Sequence, residues 1–426
     1  MTPDATPAAT PAADPALVAA LRPIAAEEWP AFTTAMSRVF GEDPTGPDVD
    51  RPRPTAELDR SLALFDDGFV AATAGAYSHQ LTVPGGVVPA AGVTWVTVSP
   101  THRRRGVLTA IMRRQLDDVH AAGTEPVAAL WAAEGSIYGR FGYAPAVWRG
   151  GIVLDPSRTR LREDLPASSG RISVVDLDAY RVAAVPLYER LRRDVPGHLA
   201  RDERWWDRRL RDEKDDRDGW TARRYALHTE PDGTVTGYAS YRQKEEWSPR
   251  DEPRGKLQLV DLVAATPAVR VALWRFVLGH DLVREVSSWS LGAEDPVRSM
   301  VADPRSVPTA PSDALWVRLV DVERALAARR YPAPIDLVLE VRDRFCPWND
   351  GRWRLIGHPA GGHCGRTDRD PDLVLGVEEL AAVYLGGVSL GTLHRAGRVT
   401  EISPGAVALA STSFSWPVAP QSPDAF

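Results

Sequence analysis

Residues 93–145 read VTWVTVSPTHRRRGVLTAIMRRQLDDVHAAGTEPVAALWAAEGSIYGRFGYAP. The β-branched run Val93, Thr94, Val96, Thr97, Val98 predicts a strand, which Ser99-Pro100 ends in a turn. An arginine-rich loop follows, then a long amphipathic helix with Thr101 ahead of it and Gly123 behind it as start and stop signals. Val127 to Trp131 reads as a second buried strand, and a short glycine-containing segment after it carries Tyr138. The rest of the chain is arranged around this unit.

The loop has a chemical meaning. Arg103-Arg104-Arg105-Gly106 at a helix start aims several unbonded backbone N–H groups, and the positive end of the helix dipole, at one spot. That spot suits a phosphate or pyrophosphate, and the guanidinium groups add charge-assisted, bidentate contacts. Gly106 lets a ligand approach the backbone. The loop lacks the Gly-Lys-Ser/Thr of a Walker motif and does not match Gly-x-Gly-x-x-Gly. An exposed basic helix start is the other reading of these residues taken alone.

Arg103-x-x-Gly106-x-Leu108 resembles the acetyl-CoA loop of the GCN5-related N-acetyltransferases (GNATs), Gln/Arg-x-x-Gly-x-Gly/Ala, and departs from it at the third fixed point. The longer string PTHRRRGVL, followed by WAAEGSIYGRFGYAPA, closely resembles the enhanced-intracellular-survival (Eis) family of actinobacterial acetyltransferases. The resemblance runs from about Leu21 to Phe426. It implies an α+β protein with tandem GNAT-like domains, the second degenerate, followed by a sterol-carrier-protein-like α/β domain. It further implies an N-acetyltransferase that moves acetyl from acetyl-CoA to primary amines of a cationic acceptor such as an aminoglycoside, directly within a ternary complex and without metal. Acetylation of a protein lysine or a polyamine is the alternative acceptor chemistry. A non-catalytic acetyl-CoA sensor is the alternative of a different class. Family members assemble as hexamers, so a homo-hexamer is expected.

Site residues carry over by position. The family places its catalytic tyrosine in IYGRFGY, which points to Tyr138 as the general acid that returns a proton to the departing thiolate. Without the resemblance, Tyr138 and Tyr143 both read as packing residues. The family uses its C-terminal carboxylate as a base, and this chain ends SPDAF, which points to Phe426. A free α-carboxylate has a pKa of about 3.5, so it serves only if desolvated or through a water. Backbone groups of Val96, Thr97 and Val98 are expected to meet the pantetheine arm as an added strand would. Arg103, Arg104, Arg105, Gly106, Val107, Leu108 and Thr109 are expected to hold the phosphates, with Ala133 and Glu134 touching the cofactor again. Family members often carry Ser where Ala133 stands, so a side-chain hydrogen bond is missing there, and Glu134 reads equally as a helix-start acid.

Length and composition set the frame. A chain of 426 residues exceeds one ordinary core. The expected parts are a disordered lead over 1–18, a catalytic GNAT domain over 19–155, a degenerate one over 156–303, and the sterol-carrier-like domain with the catalytic C-terminus over 312–426. The lead follows from the Pro/Ala/Thr-rich MTPDATPAATPAADP, which has neither the basic start nor the apolar core of a secretory signal. No apolar run is long enough for a bilayer. A formal charge of −6 argues against a nonspecific nucleic-acid binder. Cys346 and Cys364 are too few for a disulfide framework, so a cytoplasmic setting is expected.

The second GNAT-like copy shows in QLVDLVAATPAVRVALWRFVLGH, where Thr266-Pro267 falls on Ser99-Pro100 and a helix from near Val269 falls on the arginine-loop helix. Arg270 stands for Arg103, but Val271, Ala272 and Leu273 replace Arg104, Arg105 and Gly106, which should abolish the cradle. Trp29, Phe40, Glu42 and Asp43 are candidates for walling the acceptor site, or else a packed helix followed by a solvated loop. His358, His363 and Cys364 lack the paired spacing of a zinc site and read as a surface loop. In the last domain, Leu373 to Gly386 reads as helix and Ala406 to Phe414 as a strand.

Overall fold

The computed structural model describes residues 13–426 and divides into two compact units. The first holds the chain through Ala146 together with Leu315–Pro417 and Phe426; the second holds Val147–Ala314 and Val418–Ala425. Among the described residues no helix is long and apolar enough to cross a membrane.

The first unit starts with helix α1 (Pro15–Ala20), strand β1 (Arg22–Pro23), helix α2 (Trp29–Val39) and helix α3 (Gly46–Asp50). Strands β2 (Leu62–Asp66), β3 (Phe69–Val83) and β4 (Gly86–Val98) then form a meander. Helix α4 (Val107–Ala122) crosses to β5 (Val127–Trp131), and helix α5 (Gly135–Tyr138) and β6 (Ala144–Pro145) complete the run. The expectation of a disordered lead lies outside the described residues for 1–12 and fails for 15–18. There Asp14 accepts from the Ala16 N–H at 2.9 Å, Pro15 opens the helix, and Leu17 and Val18 pack against the core beneath α4. Composition missed two apolar contacts that outweigh it.

The sheet runs β1-β2-β3-β4-β5, then Leu315–Leu319, then β6. All its pairings are antiparallel except β4–β5, which is parallel and covers only Ala90–Gly92 against Val127–Ala129. Leu315–Leu319 pairs along the whole of β5 on the edge away from β4, and beyond Ala129 the β5 edge that faces β4 has no strand partner among the described residues, so β4 and β5 splay apart. One face packs on α4 through Ala110, Ile111, Leu116 and Val119; the other packs on α2 through Trp29 and Phe32. Helices on both faces follow from two apolar faces per strand.

The second unit has β7 (Trp148–Leu154), β8 (Arg171–Val175), helices α6 (Leu177–Arg192) and α7 (Glu203–Leu210), β9 (Arg224–Thr229), β10 (Val235–Lys244), β11 (Gly255–Ala264), helix α8 (Pro267–Leu278), β12 (Val283–Ser288), helix α9 (Val297–Met300) and β13 (Thr309–Asp313). Its sheet order is β13-β7-β12-β11-β10-β9-β8, and β11–β12 is its parallel pair. A meander, a crossover helix and a parallel return thus repeat the first unit's plan. Two strands lie across the boundaries expected from sequence: β7, inside 19–155, joins the second sheet, while Leu315–Leu319, inside 312–426, joins the first. Local alternation marks a strand but carries no information about a partner more than a hundred residues away.

After β14 (Leu315–Leu319), the last domain comprises α10 (Val322–Ala328), β15 (Ile335–Arg342), β16 (Gly351–His358), β17 (Gly361–Arg366), β18 (Leu373–Gly376), α11 (Val377–Val383), α12 (Leu390–Arg395), β19 (Val399–Glu401) and α13 (Ala406–Phe414). Its five strands run β17-β16-β15-β18-β19. Leu373–Gly376, expected to be helical, is a strand paired parallel to β15, and Ala406–Phe414, expected to be a strand, is α13. Alanine carries the highest helix propensity, and Ala406, Val407, Ala410, Ser413 and Phe414 are buried along one helical face. His363 and Cys364 lie in β17 and not in a surface loop, with Cys364 buried. Among the described residues no three His, Cys, Asp or Glu side chains converge as a metal group would.

Within the second unit, the tail Val418–Ala425 is held by a buried ion cluster. Arg201 Nε donates to both Asp424 carboxylate oxygens at 3.1 and 3.0 Å, and Arg209 donates to the Pro423 carbonyl at 2.9 Å and pairs with Asp261 at 3.2 Å. The Arg201 guanidinium lies over the Tyr188 ring, 3.7 Å from its centroid. Burial works against the Asp424 carboxylate, but Arg201 and Arg209 outweigh it and hold its pKa below the usual range. A depressed carboxylate pKa contributes stability in full above the unfolded value of about 4 and loses it as pH falls through the folded value. We therefore expect Asp424→Asn to cost about 3 kcal/mol, the range for one broken buried pair, and to free the tail. Denaturant unfolding at pH 7, with carboxypeptidase release of the last residues as a second readout, checks this; unchanged stability and an unchanged release rate would contradict it.

Candidate active site

The splay between β4 and β5 originates in a bulge. Thr73 pairs with Thr97 and Gly75 with Thr94, so Trp95 and Val96 together face Ala74. Trp95 sits at φ +55°, a left-handed conformation that costs a non-glycine residue roughly 1 kcal/mol or more. Gly75 makes room for it, since a Cβ there would lie 2.6 Å from the indole. The bulge bends β4 beyond its short pairing with β5. On the side away from β3, Val93–Val98 have no strand partner among the described residues. Their backbone groups are available to a ligand.

The loop after β4 carries two left-handed residues, Arg104 at φ +60° and Gly106 at φ +82°. Gly106 is the N-cap of α4 and no side chain caps the helix. The first N–H groups of α4, from Val107 to Thr109, therefore point out of the helix without a side-chain acceptor. A Cβ on Gly106 would meet only Leu17, at 3.8 Å, so it is the sign of φ, rather than crowding within the chain, that calls for glycine here. The matching helix in the second unit is built otherwise. Two residues, not eight, separate β11 from α8; Pro267 opens the helix, and the Thr266 hydroxyl accepts from the Val269 N–H at 3.3 Å. Thr266-Pro267 thus starts the helix itself, and the arginine loop has no counterpart.

A cavity of 650 Å³ lies at the splay. β4 contributes Val96, Thr97 and Val98, the loop Arg103 and Arg104, and the start of α4 Gly106, Val107, Leu108 and Thr109. The segment after β5 supplies Ala133, Glu134 and Tyr138. Thr97 offers its backbone only, because its hydroxyl is buried against that of Thr73 at 2.6 Å. Arg103 Nε reaches back to the Val98 carbonyl at 3.5 Å. Arg105 is exposed and outside this wall. His102 and Arg140 also line the cavity, and sequence reasoning missed both. His102 is positioned by Asp66 and Thr101, each at 2.9 Å, and stacks on Phe69. Arg140 lay in plain view inside IYGRFGY; the signal for His102 was only its place in PTHRRRG.

The two tyrosines of that motif separate cleanly. Tyr143 is fully buried, its hydroxyl has no hydrogen-bond partner among the described residues, and burial raises its pKa far above the ordinary value. Tyr138 is 8% exposed and opens onto the cavity. Burial raises its phenol pKa, and the nearby Glu134 carboxylate adds to the effect. A phenol so placed keeps its proton at neutral pH and can give it to a stronger base.

Phe426 lies off the cavity wall, against β3 and β4. Its ring is 4.8 Å from that of His79 and 6.4 Å from that of Tyr77, and a Cβ on Gly92 would touch it at 3.1 Å. Tyr77 in turn meets Trp95 edge-on at 5.2 Å, and Trp95 packs on Trp29 and Phe32. An aromatic chain therefore links Phe426 to the bulge beside Val96. Of the residues expected to wall the acceptor site, Phe40 is 52% exposed and borders the cavity at the end of α2. Trp29 is a buried core residue that donates to the Val49 carbonyl at 3.0 Å, and Glu42 and Asp43 are exposed in the following loop.

Comparison with known proteins gives this geometry a family. Residues 20–146 and residues 197–319 each match an acetyltransferase (GNAT) domain, and residues 322–423 match a sterol carrier protein domain. An uncharacterized N-acetyltransferase of Streptomyces coelicolor is 43% identical over 411 residues, 95% of this chain and 99% of that one. The N-acetyltransferase Eis of Mycobacterium tuberculosis is 36% identical over 329 residues, 75% of this chain and 77% of that one. The crystal structure of Eis1 from Mycobacterium abscessus superposes with a TM-score of 0.82 at 34% identity, covering 95% of this chain and all of that one. The chain belongs to the Eis family of GNAT N-acetyltransferases.

Proposed function

We propose that this N-acetyltransferase transfers acetyl directly from acetyl-CoA to a primary amine of a cationic acceptor of the aminoglycoside type, within a ternary complex. The observation that carries this is the meeting of three features in one cavity: the uncapped start of α4, the unpaired edge of β4, and a largely buried phenol that opens onto it. The diphosphate sits at the α4 start between Arg103 and Arg104, where unbonded N–H groups and the helix dipole favour an anion. The pantetheine arm runs along Val96–Val98 in the manner of an added strand. The N–H groups near Val98 polarise the thioester carbonyl.

In the reaction the amine nitrogen attacks the carbonyl carbon, the C–S bond breaks, and the thiolate takes the Tyr138 proton. The amine gives up its own proton to the Phe426 carboxylate, directly or through a water. Phe40 borders the cavity, and the exposed acidic residues Glu42 and Asp43 that follow it in the chain carry a charge that favours a polycation. A lysine side chain or a polyamine presents the same amine chemistry and is the competing acceptor.

Two measurements test the roles. Tyr138→Phe should lower kcat in a thiol-release assay roughly 100-fold or more, the usual scale of general-acid catalysis, while acetyl-CoA affinity holds. Because the phenol pKa is raised, the protonated form persists above pH 9, so the wild-type advantage over Tyr138→Phe should not fall between pH 7 and 9. A phenylalanine variant with full turnover, or an advantage lost below pH 9, would remove Tyr138 from the mechanism. One glycine appended after Phe426 displaces the carboxylate by a residue and should lower kcat about tenfold or more, a proton-transfer effect. Undiminished turnover would remove the terminal base.

A further inference from the structure

The sheet of the first unit has a hollow on the face turned away from α4. Ala91 and Val93 pack into the core beneath α4, so their neighbours Ala90 and Gly92 look the other way. On β3, Gly92 is paired with Tyr77 and Ala90 with His79; on β5 their partners are Ala129 and Val127. Tyr77 and His79 are buried, and their rings meet at 5.7 Å. A wall of two rings on β3 therefore stands beside a bare glycine flanked by Ala90 and Ala129.

The Phe426 ring takes up that space. It is tilted at 58° to the His79 ring with centroids 4.8 Å apart, and it stands nearly edge-on to Tyr77 at 6.4 Å. Both are arrangements that aromatic pairs favour. A Cβ on Gly92 would fall 2.4 Å from His79 Cδ2, 2.8 Å from His79 Nε2 and 3.1 Å from Phe426 Cε2. Both rings thus lie against the bare Gly92 backbone. Gly92 is outside the left-handed region, so room for the rings, and not conformation, calls for glycine there. Phe426 groups with the first unit, and these ring contacts tie it there.

We propose that Gly92, His79 and Tyr77 form a seat for the aromatic ring of Phe426, and that this seat fixes the position of the α-carboxylate attached to it. The inference rests on the reading of that carboxylate as the base. It makes the seat a binding site in its own right. With Phe426 removed, the seat takes a free arylalkanoic acid whose ring and carboxylate have the spacing of phenylalanine. A ring without a tether buries enough apolar surface for millimolar binding only. In the intact chain the tethered ring holds the seat at high effective concentration, so an outside acid enters poorly. Gly92, His79 and Tyr77 are positioning residues: they act on the reaction through Phe426.

Calorimetric titration and thiol release test this on the chain ending at Ala425, with hydrocinnamate as the probe and butanoate and hydrocinnamyl alcohol as comparisons. The truncated chain should bind hydrocinnamate and the alcohol at millimolar concentration and butanoate not detectably, and the full chain should bind hydrocinnamate about tenfold or more weakly. Gly92→Ala in the truncated chain should weaken hydrocinnamate about tenfold or more, because its Cβ enters the space of the rings. If that variant fails to fold, His79→Ala, which removes one wall of the seat, carries the same test. Hydrocinnamate, and not the alcohol, should restore turnover to the truncated chain through kcat, with the KM for acetyl-CoA unchanged. No binding of hydrocinnamate to the truncated chain, equal binding to the full chain, or binding that ignores Gly92→Ala and His79→Ala would each overturn the seat. Binding with every expected preference but no restored turnover keeps the seat and removes the carboxylate from the chemistry, so the two readings fail separately.

Discussion

A helix that begins on a left-handed glycine with no side-chain cap leaves its first N–H groups without an acceptor of their own, and α4 begins this way at Gly106. Water or an anion has to satisfy those donors. The chain makes the anion the better choice by placing Arg103 and Arg104 beside them, with Arg104 itself held in a left-handed conformation. The second unit repeats the strand-helix-strand plan and resolves the same difficulty internally, with the Thr266 hydroxyl on the Val269 N–H and proline at the first helical position. One copy leaves its helix start without a side-chain cap and the other satisfies it from within. That difference in capping distinguishes the two copies.

Everything else in the first domain serves the space in front of that helix. The bulge at Trp95 turns β4 off β5, and because β14 holds the other edge of β5, the splay leaves the facing edges of β4 and β5 open toward the cavity. Gly75 is required because the Trp95 ring occupies the space of its side chain, and Gly92 because His79 and Phe426 do. These glycines give up local strand stability for close approach, a trade that makes sense where backbone and rings must be brought against a ligand. Tyr138 and Tyr143, five residues apart, differ in enclosure: Tyr143 is fully enclosed in the core, while Tyr138 is buried but opens onto the cavity, its phenol pKa raised.

Much of this was legible in the sequence because it is local. Val93–Val98, the Arg103–Gly106 loop, the helix over 107–122 and the strand over 127–131 each follow from periodicity and turn chemistry within a few residues. The resemblance then directed attention to Tyr138 rather than Tyr143, which the residues alone did not distinguish. What stayed hidden is non-local or contrary to local pattern. No periodicity tells that Trp148–Leu154 and Leu315–Leu319 cross to different sheets. Ala406–Phe414 alternates like a strand yet is a helix, because its buried residues Ala406, Val407, Ala410, Ser413 and Phe414 fall on one helical face against the fold. His102 reaches the cavity wall through Asp66, 36 residues before it, and Asp424 is buried by Arg201, 223 residues before it. Such pairings exist only once the chain has folded.

We infer that the helix start behind Gly106, and not its counterpart behind Thr266, receives the coenzyme. Calorimetric titration of acetyl-CoA into the full chain measures this directly when the parent is set beside Gly106→Ala and Thr266→Ala. The account predicts one site per chain, a dissociation constant raised about tenfold or more in Gly106→Ala, equivalent to 1.4 kcal/mol or more, and no change in Thr266→Ala. Two sites per chain, or an affinity that follows Thr266 and ignores Gly106, would contradict it.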